Sequence, residues 1–387
     1  MPRSYDIISS DVHITEPPDI WKNHLPAKYQ EHAPVLAKDP EGGDAWQFAV
    51  GAPEPIGLTV TPGQRFEEMR WFGMTYDMAR PSVHNGKARI EDMDVDGIDA
   101  EIIFPPQRTI GHWLGNPDEE ISLAGVDAFN AFSFDEFAAA DPARLFPMYQ
   151  IPLLGVETAV KYVKKAKEKG AKGVVIGGWP TGAETISEED DPFWAACVDA
   201  DLPVTIHITM ISRKARMEQQ KAGRSVTSGI GKDKKRMNAK AVGGLAGVFS
   251  AVPPTIASFI FNGVFDRFPE LRVVLIEVGV GWIPHFLEMM DDRYWRNRTW
   301  AGLEIKHEPS YYWYRNFAAT FMQDYIGVKL RHAVGVENML WSTDFPHHGN
   351  DWPYSRARIN EMFNGVGQDE KAKILAGNAV RIFGLDK

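Results

Sequence analysis

Eight short apolar runs, rich in β-branched residues, are strung along this chain with helical patterns between them. They are SYDIISSD (4–11), DAEIIFP (99–105), LFPMYQIP (145–152), GAKGVVIGG (170–178), LPVTIHI (202–208), RVVLIEVG (272–279), NFAATFM (316–322) and NMLWSTDF (338–345). Most are continuously apolar rather than alternating, as parallel strands covered on both faces require. Helical periodicity fills the gaps, for example in SLAGVDAFNAFSFDEFAAAD, VETAVKYVKKAKEKG, DPFWAACVDAD and IPHFLEMMDDRYW. Alternating strand and helix with eight strands predicts an α/β fold, the (β/α)8 TIM barrel. An open doubly wound sheet is the alternative, but no glycine-rich phosphate turn follows the first run.

At 387 residues the chain is long for one domain, although α/β barrels reach this size with insertions. Residues 1–387 are read as a single domain decorated at two places. The stretch 39–85, with DAWQFAVGAPEPIGLTVTPG, predicts a β-hairpin inserted after the first strand. The stretch 209–250, with RKARMEQQKAGR and GKDKKRMNAK, predicts a long basic loop after the fifth strand. It is either a solvated excursion or subunit contact, or a lid over the barrel mouth.

Composition narrows the function classes. A hydrophobic content of 44% supports a sizeable core, and a net charge of −10 argues against general affinity for nucleic acid or anionic membrane. The single cysteine, Cys197, excludes an internal disulfide and any cysteine-clustered metal site. No run approaches the roughly 20 apolar residues of a membrane helix, and the start MPRSYDIISSDVH has no cleavable apolar region. The expectation is a cytoplasmic protein.

Four of the runs end in metal-competent side chains. Asp11 and His13 close the first; two apart on a strand, they project from one face and form a half-shell for Zn²⁺, Mn²⁺ or Fe²⁺. Glu16 follows in the loop, where it reaches a metal or caps the turn before Pro17 and Pro18. His207 lies in PVTIHIT at the end of the fifth strand, as a ligand or as a packed core residue. Glu277 in VVLIEVGVGW is a carboxylate inside an apolar strand, which must face a cation or be protonated and hydrogen-bonded. Gly279 and Gly281 behind it leave room for a close approach to the backbone, and His285 further on is read as structural. WSTDFPHHG places Asp344 at the end of the eighth strand, able to bind metal and move protons. His347 and His348 follow as further ligands or ordinary loop histidines, and Arg108 and His112 are candidates for a substrate carboxylate or a rim salt bridge.

Asp11-x-His13, His207 and Asp344, with the ending GNAVRIFGL, resemble the amidohydrolase superfamily. The branch most resembled contains aminocarboxymuconate semialdehyde decarboxylase and the metal-dependent aromatic-acid decarboxylases. The resemblance runs over essentially the whole chain, including RIEDMDVDGIDAEIIFP (89–105) and FDRFPELRVVLIEVGVGWIPHF (265–286). It implies a distorted (β/α)8 barrel, often a homodimer, in which Asp11, His13, His207 and Asp344 hold one divalent metal. These decarboxylases generally carry a histidine at the end of the sixth strand, where this chain has Glu277. With Glu16, Glu277 and His347 added, the donors suffice for a second, oxygen-rich metal position.

The leading expectation is a carboxy-lyase that removes CO₂ non-oxidatively from a small aromatic or unsaturated carboxylic acid. In it the metal acts as Lewis acid, His207 and Glu277 work at the centre, and Asp344 handles the proton. Hydrolysis of an amide, ester or lactone uses the same residues, and oxidation at a binuclear iron or manganese centre is a third reading. A non-catalytic barrel that has lost its metal is the competing class, and the intact ligand set argues against it.

Overall fold

The computed structural model describes residues 4–222 and 234–386. Each of the eight runs contains one strand. We number them β1 (Ile8–His13), β2 (Ala100–Phe104), β3 (Leu145–Pro147 and Tyr149–Gln150), β4 (Val174–Ile176), β5 (Val204–His207), β6 (Val273–Ile276), β7 (Phe317–Phe321) and β8 (Met339–Trp341). Neighbours pair in parallel in chain order, from β1 through β2 to β3 and from β3 to β8. Just beyond the last strand, the Asp344 N–H donates to the Asp11 carbonyl at 2.9 Å and the His13 N–H to the Phe345 carbonyl at 2.6 Å. Ser9 Oγ also lies 2.9 Å from Thr343 Oγ1. These bonds bring the first strand against the last, the arrangement of a (β/α)8 barrel.

Two apolar shells follow from strand alternation. Ile8, Ala100, Ile102, Phe104, Val175, Val274, Ile276, Ala318 and Leu340 form the inner cluster. Val204, Ile206, Val273 and Leu275 belong to the outer one, against the helices. On β5 this leaves Thr205 and His207 facing inward with Val274 and Ile276, because side chains alternate. The C-terminal helix Asn378–Phe383 adds Ala379, Ile382 and Phe383 to the inner cluster. Arg272, just before β6, donates to the Ile382 carbonyl at 2.9 Å. The chain's ending therefore plugs the end of the barrel where strands begin, and the other end stays open for a site.

The decorations differ from the sequence reading. The first insertion contains the expected hairpin, Asp44–Gln47 with Glu54–Pro55, and a third antiparallel strand, Val35–Lys38, extends it before residue 39. Its first strand starts before the expected boundary because Val35 and Leu36 are exposed, so VLAK carries no in-and-out pattern. The described parts of the second stretch carry helices, Arg213–Lys221 and Lys234–Ala246, where a loop was expected. Ser212 caps the first of these, its side chain accepting from the Ala215 N–H. Part of GKDKKRMNAK lies outside the described residues. No single helix among the described residues is long and apolar enough to cross a membrane.

One fully buried cation ties the open end together. Arg89, on helix Gly86–Asp96, pairs with Glu101 of β2 at 2.8 Å and donates to the carbonyls of His13 (2.7 Å) and Ser82 (2.8 Å). Its guanidinium also lies 4.3 Å over the Phe345 ring. Each of its three nitrogens has an acceptor and Glu101 supplies the opposite charge, so the buried charge is compensated. Replacing Arg89 by Met strands the Glu101 carboxylate and the His13 carbonyl. A loss of about 3–5 kcal/mol is expected, read as a lower denaturation midpoint at unchanged m-value.

Candidate metal centre and cavity

The strand ends bring the expected donors to one point. His13 Nε2 and His207 Nε2 are 3.0 Å apart. Asp11 Oδ1 lies 3.6 Å from each of them. Asp344 Oδ1 is 3.5 Å from His13 Nε2, and Glu277 Oε2 is 3.6 Å from His207 Nε2. His347 Nδ1 sits 3.0 Å from Asp344 Oδ1, with its ring stacked on that of His13. Donors sharing one ion at bond lengths near 2.0–2.2 Å stand roughly 2.8–3.6 Å apart in tetrahedral or octahedral geometry. The observed separations fall in that window. Asp11, His13, His207 and Glu277 form one set of mutually close donors, and His13, Asp344 and His347 a second that shares His13.

The polar bookkeeping points the same way. Both carboxylate oxygens of Asp11, and Oδ1 of Asp344, are buried with no hydrogen-bond donor. A carboxylate in that state is expensive unless a cation faces it. Burial, then repulsion from Asp344, pushes the Glu277 carboxyl well above its usual range. Burial and the charge of Asp11 do the same to Asp344. His207 is pulled down by burial, but Asp11, Glu277 and Asp344 outweigh it and hold its imidazole above the ordinary value. His13 is lowered by burial and by the neighbouring His347 and His207, and burial takes His347 to about 4. Two neutral imidazoles among mutually repelling carboxylates are a donor set that fits a divalent cation.

Backbone strain is concentrated at this spot. Ile208, Glu277 and Asp344, at the ends of β5, β6 and β8, adopt φ of 59°, 62° and 57°. The left-handed region costs a non-glycine residue about 1–2 kcal/mol, and for β-branched Ile208 it is a true outlier. The turn after β6 is held by β7 and its loop. Thr320 Oγ1 accepts the Glu277 N–H at 2.7 Å, and Asp324 accepts those of Val280 (2.6 Å) and Gly281 (2.7 Å). A Cβ on Gly281 would stand 2.8 Å from Asp324 Oδ1. The space left by Gly281 is thus filled by Asp324, not by a ligand.

Other candidates fall elsewhere. Glu16 belongs to neither donor set; Thr109 Oγ donates to its Oε1, and burial raises its carboxyl. The oxygen-rich second metal position that Glu16 was to complete does not assemble. His348 is exposed and belongs to neither donor set, its backbone N–H donating to the Leu58 carbonyl, and His285 is on the exposed face of helix Ile283–Ala301. Beside His207 opens a cavity of about 320 Å³, lined also by Phe48, Gln107, Arg108, His112 and Arg216. Sequence reasoning missed Arg89, Thr320, Asp324 and Arg216. Arg89, Asp324 and Arg216 look like ordinary surface residues of their local patterns, and Thr320 like a plain strand residue; only the tertiary fold gives each its partner or turns it onto the site.

Residues 11–385 match the family model described as Amidohydrolase, and the chain belongs to that family. It is 26% identical over 277 residues to the decarboxylase orsB of Emericella nidulans, covering 69% of this chain and 75% of that protein. It is 22% identical over 301 residues to 2-amino-3-carboxymuconate-6-semialdehyde decarboxylase of Dictyostelium discoideum, covering 77% and 76%. The fold superposes with a TM-score of 0.68, at 17% identity over 98% of this chain and 96% of the other, on 5-carboxyvanillate decarboxylase of Novosphingobium aromaticivorans. That structure holds manganese and 4-hydroxy-3-methoxy-5-nitrobenzoic acid.

Stripping the protein with a chelator and restoring Mn²⁺ should raise its melting temperature, since a ligand at a hundred times its Kd adds about 2.7 kcal/mol. Elemental analysis is expected to find about one ion per chain. His207→Ala should lose both the ion and the thermal shift.

Proposed function

We propose that this protein is a metal-dependent carboxy-lyase that removes CO₂ non-oxidatively from a small aromatic carboxylic acid. The observation that carries the reading is the convergence of Asp11, His13, His207, Glu277 and Asp344 beside a cavity of benzoate scale. The decarboxylase relatives and the manganese-bearing decarboxylase of the same fold support it. A divalent ion held by Asp11, His13 and His207, with Glu277 and Asp344 at its edge, supplies Lewis acidity toward a substrate oxygen.

The chain's own residues do the rest. Phe48 and His112, whose rings lie 5.0 Å apart and tilted by 44°, offer an aromatic corner for a planar ring. Asp344, buried and 3.0 Å from His347 Nδ1, delivers a proton to the ring carbon as its bond to the carboxyl carbon breaks and CO₂ leaves. Glu277, whose carboxyl feels the charge of Asp344, keeps that proton oriented. The helix Arg213–Lys221 walls the cavity and excludes water from it. The same reading has the enzyme work in the cytoplasm as a homodimer.

Manganese-loaded protein should release CO₂ from some members of a panel of hydroxybenzoates and related acids. In D₂O the arene product is expected to carry one deuterium at the vacated carbon. Asp344→Asn should lower turnover by about 10²–10⁴-fold. A fully metallated protein that releases no CO₂ across the panel, or that only opens rings or cleaves esters and amides, would contradict the proposal.

A further inference from the structure

Arg216 is the anomalous charge of the cavity. It is 8% exposed, on the helix that follows β5. Among the described residues its one acceptor is the Gly177 carbonyl, 2.9 Å from Nη2; no carboxylate pairs with it, and its Nε is buried without a partner. The other arginines near the barrel mouth are compensated. Arg89 pairs with Glu101, and Arg108 lies 3.8 Å from Glu54 and donates to the Pro55 carbonyl at 2.7 Å. Burying a lone guanidinium is costly, and here burial alone pulls it down to about 10, which still leaves it cationic at neutral pH.

The slot around that side chain is cleared by glycine. A Cβ on Gly177 would come within 2.8 Å of Arg216 Nη2, one on Gly111 within 3.2 Å of Nη1, and one on Gly115 within 3.1 Å of the Arg216 Cβ. Next to it His112, held neutral by burial at about 4, has its Nε2 buried and unpartnered. Arg216, His112 and His207 line the same cavity. An uncompensated cation and an idle imidazole nitrogen on one wall suit a single oxyanion, because a guanidinium binds a carboxylate through two parallel N–H donors.

We propose that Arg216 anchors a second carboxylate of the substrate, so that this enzyme acts on aromatic dicarboxylic acids, one acid group at the metal centre and the other on Arg216 with His112 beside it. The assignment rests on the decarboxylase reading for the first group only. Of the two readings of Arg108, its 3.8 Å separation from Glu54 supports the salt bridge, and His112 serves the anchor as a neutral partner.

The test is calorimetric binding to manganese-loaded protein without turnover, using isophthalate and terephthalate against their mono-amide isosteres and benzoate. At least one dicarboxylate is expected to bind about ten- to a hundred-fold more tightly than its mono-amide. That gap should fall to within about two-fold in Arg216→Gln and survive in part in Arg216→Lys, while benzoate affinity stays level. Equal affinities for diacid and mono-amide in the native chain, or an undiminished gap in Arg216→Gln, would overturn the anchor. Should the Gln variant fail to fold, the native gap and the Arg216→Lys value decide. A protein that shows the gap yet releases no CO₂ from any acid would defeat the decarboxylase reading and leave the anchor standing.

Discussion

Three carboxylates that repel one another in a largely buried space set the terms for this protein. Asp11, Glu277 and Asp344 reach the same few ångströms from β1, β6 and β8, and no lysine or arginine pairs with any of them among the described residues. Two imidazoles, His13 and His207, face one another between them. Proton sharing relieves part of that repulsion, and a divalent cation relieves more of it and gives the orphaned oxygens of Asp11 and Asp344 a partner. The reaction class, the cavity beside His207 and the family's chemistry all depend on this local excess of negative charge.

The scaffold holds the donors in place against their repulsion. Parallel strands place side chains at the open end in a fixed register, such as His207 opposite Ile276. Three left-handed residues then turn the chain sharply where the donors sit. Such strain persists only when the surroundings over-determine it. The clamps are visible: Arg89 on the His13 carbonyl, Thr320 on the Glu277 N–H, and Asp324 on the turn behind it. These contacts hold the donor-bearing turns from behind.

The barrel was legible in the sequence because each strand is a continuous apolar run, and burial on both faces leaves that mark. The donors were legible for a related reason: Asp11, His207 and Glu277 are polar residues set in apolar runs, where they stand out. What stayed hidden lacks such contrast. Val35–Lys38 is exposed and shows no alternation, so its strand was missed. Arg216 sits in RKARMEQQK, a mostly polar stretch with two arginines, and nothing local marks it as the one turned inward. Glu16 misled in the opposite sense, since its place near the first motif suggested a ligand while Thr109 claims its carboxylate. The left-handed turn at Ile208 cannot be read from residue type, because isoleucine rarely adopts it.

The central claim is that side chains from β1, β5, β6 and β8 share one divalent ion, and anomalous diffraction from crystals grown with Mn²⁺ tests it most directly. The account requires a single manganese peak about 2.2 Å from both His13 Nε2 and His207 Nε2 and in contact with Asp11. A map with no peak there, the two imidazoles joined only through a shared proton, or a peak bound by other residues, would contradict it.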